Sequence, residues 1–138
     1  MKSLLFALLF GVQLLSAAEI YIVASRTLPL QHISRSTLKA IFLDKKHLIS
    51  GHKVLPINYT FTDPLRSCFE KNVLKKSRRA LERYWLRAHY NGKRAPKVVK
   101  SKAALLAYLQ KVPGTIGYVD SKTARSASLK VLLRIPCD

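Results

Sequence analysis

Residues 19–24, Glu-Ile-Tyr-Ile-Val-Ala, place apolar side chains on both alternating faces of an extended segment. Successive side chains of a strand point to opposite sides, so this strand has to be covered twice. The segment predicts a central strand of a sheet with further layers on both faces, and it limits the fold more than any other stretch. Downstream, Ser34 is a good helix N-cap, with Ile33 before it and Leu38 placed to close a hydrophobic staple. Leu38, Ile41 and Phe42 continue an apolar stripe at helical spacing. Gly51 breaks the chain, and residues 53–58 read as a strand in which Pro56 demands an edge or one unpaired position.

Asp63-Pro64 is a strong helix start, because Asp accepts free first-turn amides and Pro is tolerated at the first helical position. Leu65, Cys68, Phe69 and Val73 give that helix its apolar stripe. A further helix is expected over residues 77–90, burying Leu81, Tyr84, Trp85 and Ala88 and ending at Asn91-Gly92. After a linker rich in Lys, Arg and Pro, residues 101–112 predict a helix with Leu105, Tyr108, Leu109 and Val112 inward. Residues 115–119 and 129–135 read as closing strands, Gly117 marking a place where a larger side chain would not fit. Alternating strands and helices argue for an α/β fold, a central sheet flanked by helices.

The first residues have another use. Lys2 precedes an apolar run over residues 4–15 that ends in Ser16, Ala17 and Ala18, the pattern of a signal peptide cleaved after residue 18. A membrane span needs about 20 apolar residues, and this run is shorter. The expected product is a single domain, residues 19–138, in the periplasm or secreted, with no transmembrane span. Twenty-five Lys and Arg stand against seven acids, a formal charge of +18, and only Lys2 leaves with the signal. Such an excess attracts anions, whether an oxyanion, an anionic surface or an acidic protein face; it also keeps an exported protein soluble. Export further allows Cys68 and Cys137 to form a disulfide. Two unpaired thiols, with Cys68 filling core space, are the other reading.

Several segments are similar to phosphate-type periplasmic substrate-binding proteins. Leu38-Lys39-Ala40-Ile41-Phe42-Leu43-Asp44-Lys45 resembles a helix end of that family, and Val54-Leu55-Pro56-Ile57-Asn58 the strand after it. Arg66-Ser67-Cys68-Phe69 with Val73-Leu74 resembles the next helix, Tyr84-Trp85 an aromatic pair, and Pro113-Gly114-Thr115-Ile116-Gly117-Tyr118-Val119 a late strand. The resemblance runs over residues 20–133 in matching order. It implies a periplasmic-binding-protein-like lobe, of which full family members have two that close on an oxyanion.

In the phosphate-binding members a Gly-Ser-Gly-like turn opens the helix that begins here near Asp63, and its amides and hydroxyls hold the anion. Helix N-termini suit that role. Here the segment is Thr60-Phe61-Thr62-Asp63-Pro64, with no glycine, a carboxylate where the anion would sit, and a proline without an N–H. Arg66 could still clamp an oxyanion such as phosphate, with Thr60, Thr62 and Ser67 as hydroxyl donors. Alternatively Arg66 pairs with Asp63 and the hydroxyls serve the turn. A second candidate is the basic surface of Arg79, Arg83 and Arg87 with Lys93, Arg94, Lys97, Lys100 and Lys102, which would hold a polyanion or form a solvated face. Tyr84 and Trp85 fall on the apolar stripe, and no nucleic-acid motif is present, which disfavours DNA or RNA. His32, His47, His52 and His89 show no metal spacing, and no paired-carboxylate signature appears. The expectation is a non-enzymatic binding protein, without metal or cofactor, that recognises an anionic ligand or partner. The competing expectation is a basic envelope interaction module that docks on an acidic protein or anionic surface.

Overall fold

A computed structural model describes residues 18–137. The expected signal segment, apart from Ala18, lies outside them. The element order is β1 (Glu19–Ala24), α1 (Arg35–Phe42), β2 (Leu48–Ile49), β3 (His52–Lys53), β4 (Leu55–Tyr59) and α2 (Pro64–Phe69). It continues with a π-helical turn (Glu70–Leu74), α3 (Arg78–Tyr90), β5 (Lys97–Val99), α4 (Lys102–Lys111), β6 (Thr115–Asp120), α5 (Ser121–Ser126) and β7 (Lys130–Pro136). Five strands form one mixed sheet in the order β5-β4-β6-β1-β7, and β2 with β3 makes a small hairpin.

Strand β1 sits inside the sheet, antiparallel to β6 and β7, and Ile20, Ile22 and Val23 are fully buried. This is the doubly covered strand that its sequence demanded. The two covering layers can be read from β6, where neighbouring side chains must face opposite ways. Tyr118 stacks on Phe69 of α2, ring centroids 4.4 Å apart. A Cβ at Gly117, on the other face, would lie 2.7 Å from Leu105 of α4. Helices α2 and α4 therefore cover opposite sides, and Gly117 is small because Leu105 needs the room. On the α2 side Phe42, Phe69, Tyr59 and Tyr118 form an aromatic cluster.

The helix boundaries follow local chemistry. Ser34, Asp63, Ser77 and Ser101 each cap a helix through a side-chain oxygen. Helix α3 ends at Asn91, and Gly92 takes a positive φ while Gly92 and Lys93 return their amides to His89 and Ala88. Pro56 lies in an interior strand rather than at an edge. Leu55 donates toward β6 through the Gly114 carbonyl, so the nitrogen of Pro56 faces the other way, where β5 pairs only from Ile57 onward. That is the single unpaired position a proline in this strand requires.

Cys68 and Cys137 form a disulfide, their Cα atoms 5.3 Å apart. It ties α2 to the end of β7. Of the two readings of this cysteine pair, the bridge is the one the molecule adopts.

Candidate functional site

Strand β4 is where the winding of the sheet reverses. The chain leaves it for β5 on one side and then returns through α4 to β6 on the other. In open α/β sheets, ligand crevices favour the carboxyl end of such a strand, which here is the loop Thr60, Phe61 and Thr62 leading into α2. Along β4 the partner changes from β6, beside Leu55 and Pro56, to β5, beside Ile57, Asn58 and Tyr59. Beyond Pro56 the link from β6 is made by a side chain, the Tyr118 hydroxyl donating to Asn58 Oδ1.

The start of α2 can be accounted for amide by amide. Pro64 has no N–H, Leu65 donates to Asp63 Oδ1 at 2.8 Å, and Arg66 and Ser67 donate to the Asp63 carbonyl at 3.0 and 3.2 Å. Asp63 thus takes every first-turn donor. The Thr60 and Thr62 hydroxyls face each other at 3.3 Å, and Ser67 is exposed. Arg66 turns away from Asp63. Its Nη1 donates to the Tyr59 carbonyl at 2.8 Å, and its Nε lies 3.5 Å from the carboxylate of Glu70. Arg78 reaches the same carboxylate at 2.6 Å, donates to the Phe61 carbonyl and covers the Phe61 ring. Glu70 is only 5% exposed, so one buried carboxylate holds two guanidinium groups. Nearby, the buried Tyr59 hydroxyl has no hydrogen-bond partner among the described residues. Burial, followed by the charges of Asp63 and Asp120, pushes that phenol above its ordinary range.

Two clefts meet at the entrance of α3, one around the π-helical turn before it and one along the helix. The first, about 690 Å³, is lined by Arg35, Lys71, Lys75, Lys76 and Arg78 around Glu70, with Ser67 on its wall. The second, about 430 Å³, is lined by Lys45, Lys76, Arg83, Tyr84, Arg87 and Lys93. The structure therefore gathers Arg83, Arg87 and Lys93 from the basic residues singled out in sequence. Arg79 is exposed on the same helix but lines neither cleft. Arg94 gives its amide to Asp44 Oδ2, and the Lys97 ammonium lies 5.3 Å from the Tyr108 ring centroid; neither lines the clefts. Sequence reasoning missed Arg35, Lys45, Lys71, Lys75, Lys76 and Arg78. The pair Lys75-Lys76 directly before the Ser77 cap was the available signal, since side chains at a helix entrance share a side with its first turns.

Among the described residues no three His, Cys, Asp or Glu side chains gather as a metal site, and no helix is long and apolar enough to cross a membrane.

No family model and no curated protein matches the chain. Solved structures do. An ABC-type phosphate transport receptor from Vibrio cholerae matches at a TM-score of 0.65 and 14% identity, over 83% of this chain and 45% of that one. PstS from Borrelia burgdorferi matches at 0.66 and 17% identity, covering 83% and 46%. A putative phosphate ABC transporter substrate-binding protein with bound phosphate, from Clostridium perfringens, matches at 0.61 and 12%, covering 86% and 53%. The chain spans about half the length of these proteins, and over that span it has the fold of phosphate ABC transporter substrate-binding proteins.

Proposed function

We propose that this chain is an exported, non-enzymatic binding protein, built on the fold of one periplasmic-binding-protein-like lobe, that recognises an anionic ligand or partner. The observation that carries the reading is the structural match to three phosphate-transport or phosphate-binding proteins over more than four-fifths of the chain. The formal charge of +18 and the two basic clefts fit an anion. The expected signal peptide of residues 1–18 and the Cys68–Cys137 bridge fit an oxidising compartment outside the cytoplasm. Intact-mass analysis of exported protein tests the processing: the chain should begin at Glu19.

A second reading has its own support. Asp63 takes the first-turn donors of α2, and Arg66 is held by Tyr59 and Glu70. Both groups that would clamp a small oxyanion are thus engaged with the chain itself, which favours docking on a larger anionic partner through the basic face. Calorimetry with phosphate and sulfate at fixed ionic strength separates the two. Saturable one-to-one heat supports a small-anion site; salt-sensitive retention on an acidic matrix without such heat supports docking. Absence of both refutes anion recognition.

A further inference from the structure

We infer that the two basic clefts form one continuous trough that docks an extended acidic polypeptide segment of a partner protein. The inference rests on the anion-recognition reading and gives it a place and a partner class. Lys76 lines both clefts, so they adjoin. Arg35, Lys71, Lys75 and Arg78 lie to one side of it and Lys45, Arg83, Arg87 and Lys93 to the other. The sole carboxylate among the lining residues is that of Glu70, and Arg66 and Arg78 already hold it. No acid lines the second cleft, and the one at its edge, Asp44, accepts from Lys93 Nζ through its backbone carbonyl at 3.1 Å.

The floor of the trough separates a peptide from other polyanions. Tyr84, Ala80 and Ala88 line the second cleft together with its cations. The Tyr84 hydroxyl donates to the Leu43 carbonyl at 2.5 Å, which fixes the ring, and the ammonium groups of Lys45 and Lys76 each lie 5.8 Å from its centroid. An acidic peptide uses both features, setting carboxylates on the rim and an apolar side chain on the tyrosine. A planar lipid surface meets the rim alone, and an inorganic polyanion leaves the apolar floor empty. From Ser77, on the wall of the first cleft, to Asn91, on the wall of the second, a helix rises roughly 20 Å at ~1.5 Å per residue. An extended chain covers that distance with about six residues at ~3.3 Å each.

The test uses the full mature chain and a fluorescently labelled peptide of about seven residues, alternating Asp and Glu around one central Phe, read by anisotropy. Arg83→Glu with Arg87→Glu should weaken binding at least about tenfold, and so should Lys75→Glu with Lys76→Glu. Lys122→Glu with Arg125→Glu makes the same change of charge on exposed residues of α5, outside the trough, and should leave affinity within about threefold. Circular dichroism confirms that each variant is folded. Replacing the Phe with Gly should weaken the wild type about threefold or more and leave the Arg83/Arg87 variant little changed. Equal losses in all three charge-reversed pairs would overturn the trough in favour of diffuse charge attraction. Tighter trough-dependent binding to phosphatidylglycerol vesicles or to inorganic polyphosphate would overturn the peptide. Stoichiometric phosphate binding that the trough variants keep, with no peptide binding, would sink this inference and leave anion recognition standing; no binding to any of the four probes would sink both.

Discussion

Removing the Cys68–Cys137 bridge, by changing both cysteines to alanine, should cost about 4 kcal/mol. The half-cystines are 69 residues apart, and in the chain-entropy model a loop of that length restricts the unfolded chain by roughly 4 kcal/mol at 25 °C. Packing adds little, because Cys68 is buried but small and Cys137 is only partly buried; losing one sulfur from the core costs on the order of 1 kcal/mol. For a domain of this size 1 kcal/mol corresponds to about 4 °C, so the melting temperature should fall by roughly 15 °C or more. Urea unfolding followed by far-ultraviolet circular dichroism gives a second reading. The bridged unfolded state exposes less surface, so the urea slope m should rise when the bridge is removed. Reduced wild-type protein, which keeps the buried sulfur, should then lie within about 1 kcal/mol of the double variant. A loss below about 1 kcal/mol with an unchanged m would refute the reasoning, since it would mean that the bridge does not restrict the unfolded chain.

Gly114→Ala should be among the most damaging single changes, about 3 kcal/mol or more in urea midpoint analysis. Its φ is +81°, and the new Cβ would lie 2.1 Å from the Lys53 carbonyl oxygen, a backbone atom that cannot swing aside. Asp63→Ala should cost about 1 kcal/mol by loss of the α2 cap, whereas Asp63→Ser should cost only a few tenths; equal losses in the two would show that the cap is not the stabilising contact. Asp120→Asn tests pH linkage. Burial pulls the Asp120 carboxyl up, but hydrogen bonds from Thr123 and Lys102 and the Lys102 charge outweigh it, leaving the folded group below its ordinary 3.8. A lowered folded pKa stabilises above the unfolded value and loses that stabilisation as pH falls through the folded one. The variant should therefore be less stable than wild type at pH 7, and the gap should close below about pH 4; a gap constant from pH 7 to pH 2 would contradict the assignment.

The elements that sequence exposed are those where two local signals coincide. Helix α3 had a serine cap, an apolar stripe and a glycine stop, and β1 had apolar residues on both faces. Strand β5 is three residues long inside a Lys- and Pro-rich linker, and α5 buries only Ala124, so neither carries a periodic pattern to read. Pro56 allowed either an edge or one unpaired position because a proline forbids one hydrogen bond; that the second holds depends on where β5 begins, which is a tertiary fact. The site was half legible for the same reason. Asp63 as cap follows from Asp-Pro, but the turn of Arg66 toward Glu70 and Tyr59 depends on Arg78 arriving from the next helix. Glu70 itself gave no sign of burial in sequence, since a glutamate among lysines reads as surface.

Four of the seven acids are engaged by groups of the chain itself. Asp63 covers the amides of α2, Glu70 holds Arg66 and Arg78, Asp120 holds Lys102, and Asp44 accepts the Arg94 amide and faces His47. Asp63 and Glu70 thus lie at the β4 crevice, Asp120 at the β6 end and Asp44 at the edge of the second cleft, while Arg79, Arg83 and Arg87 follow one another at helical i,i+4 spacing on α3 with Glu82 among them. Like charges at that spacing destabilise a helix by about 0.2–0.5 kcal/mol per pair, and Lys45, Lys76 and Lys93 converge on the same cleft. Solubility alone would be served as well by spreading the cations. Their concentration beside a fixed tyrosine weakens the free fold slightly, and an acidic partner turns the same repulsion into attraction, so the electrostatic cost and the proposed binding surface have one physical origin.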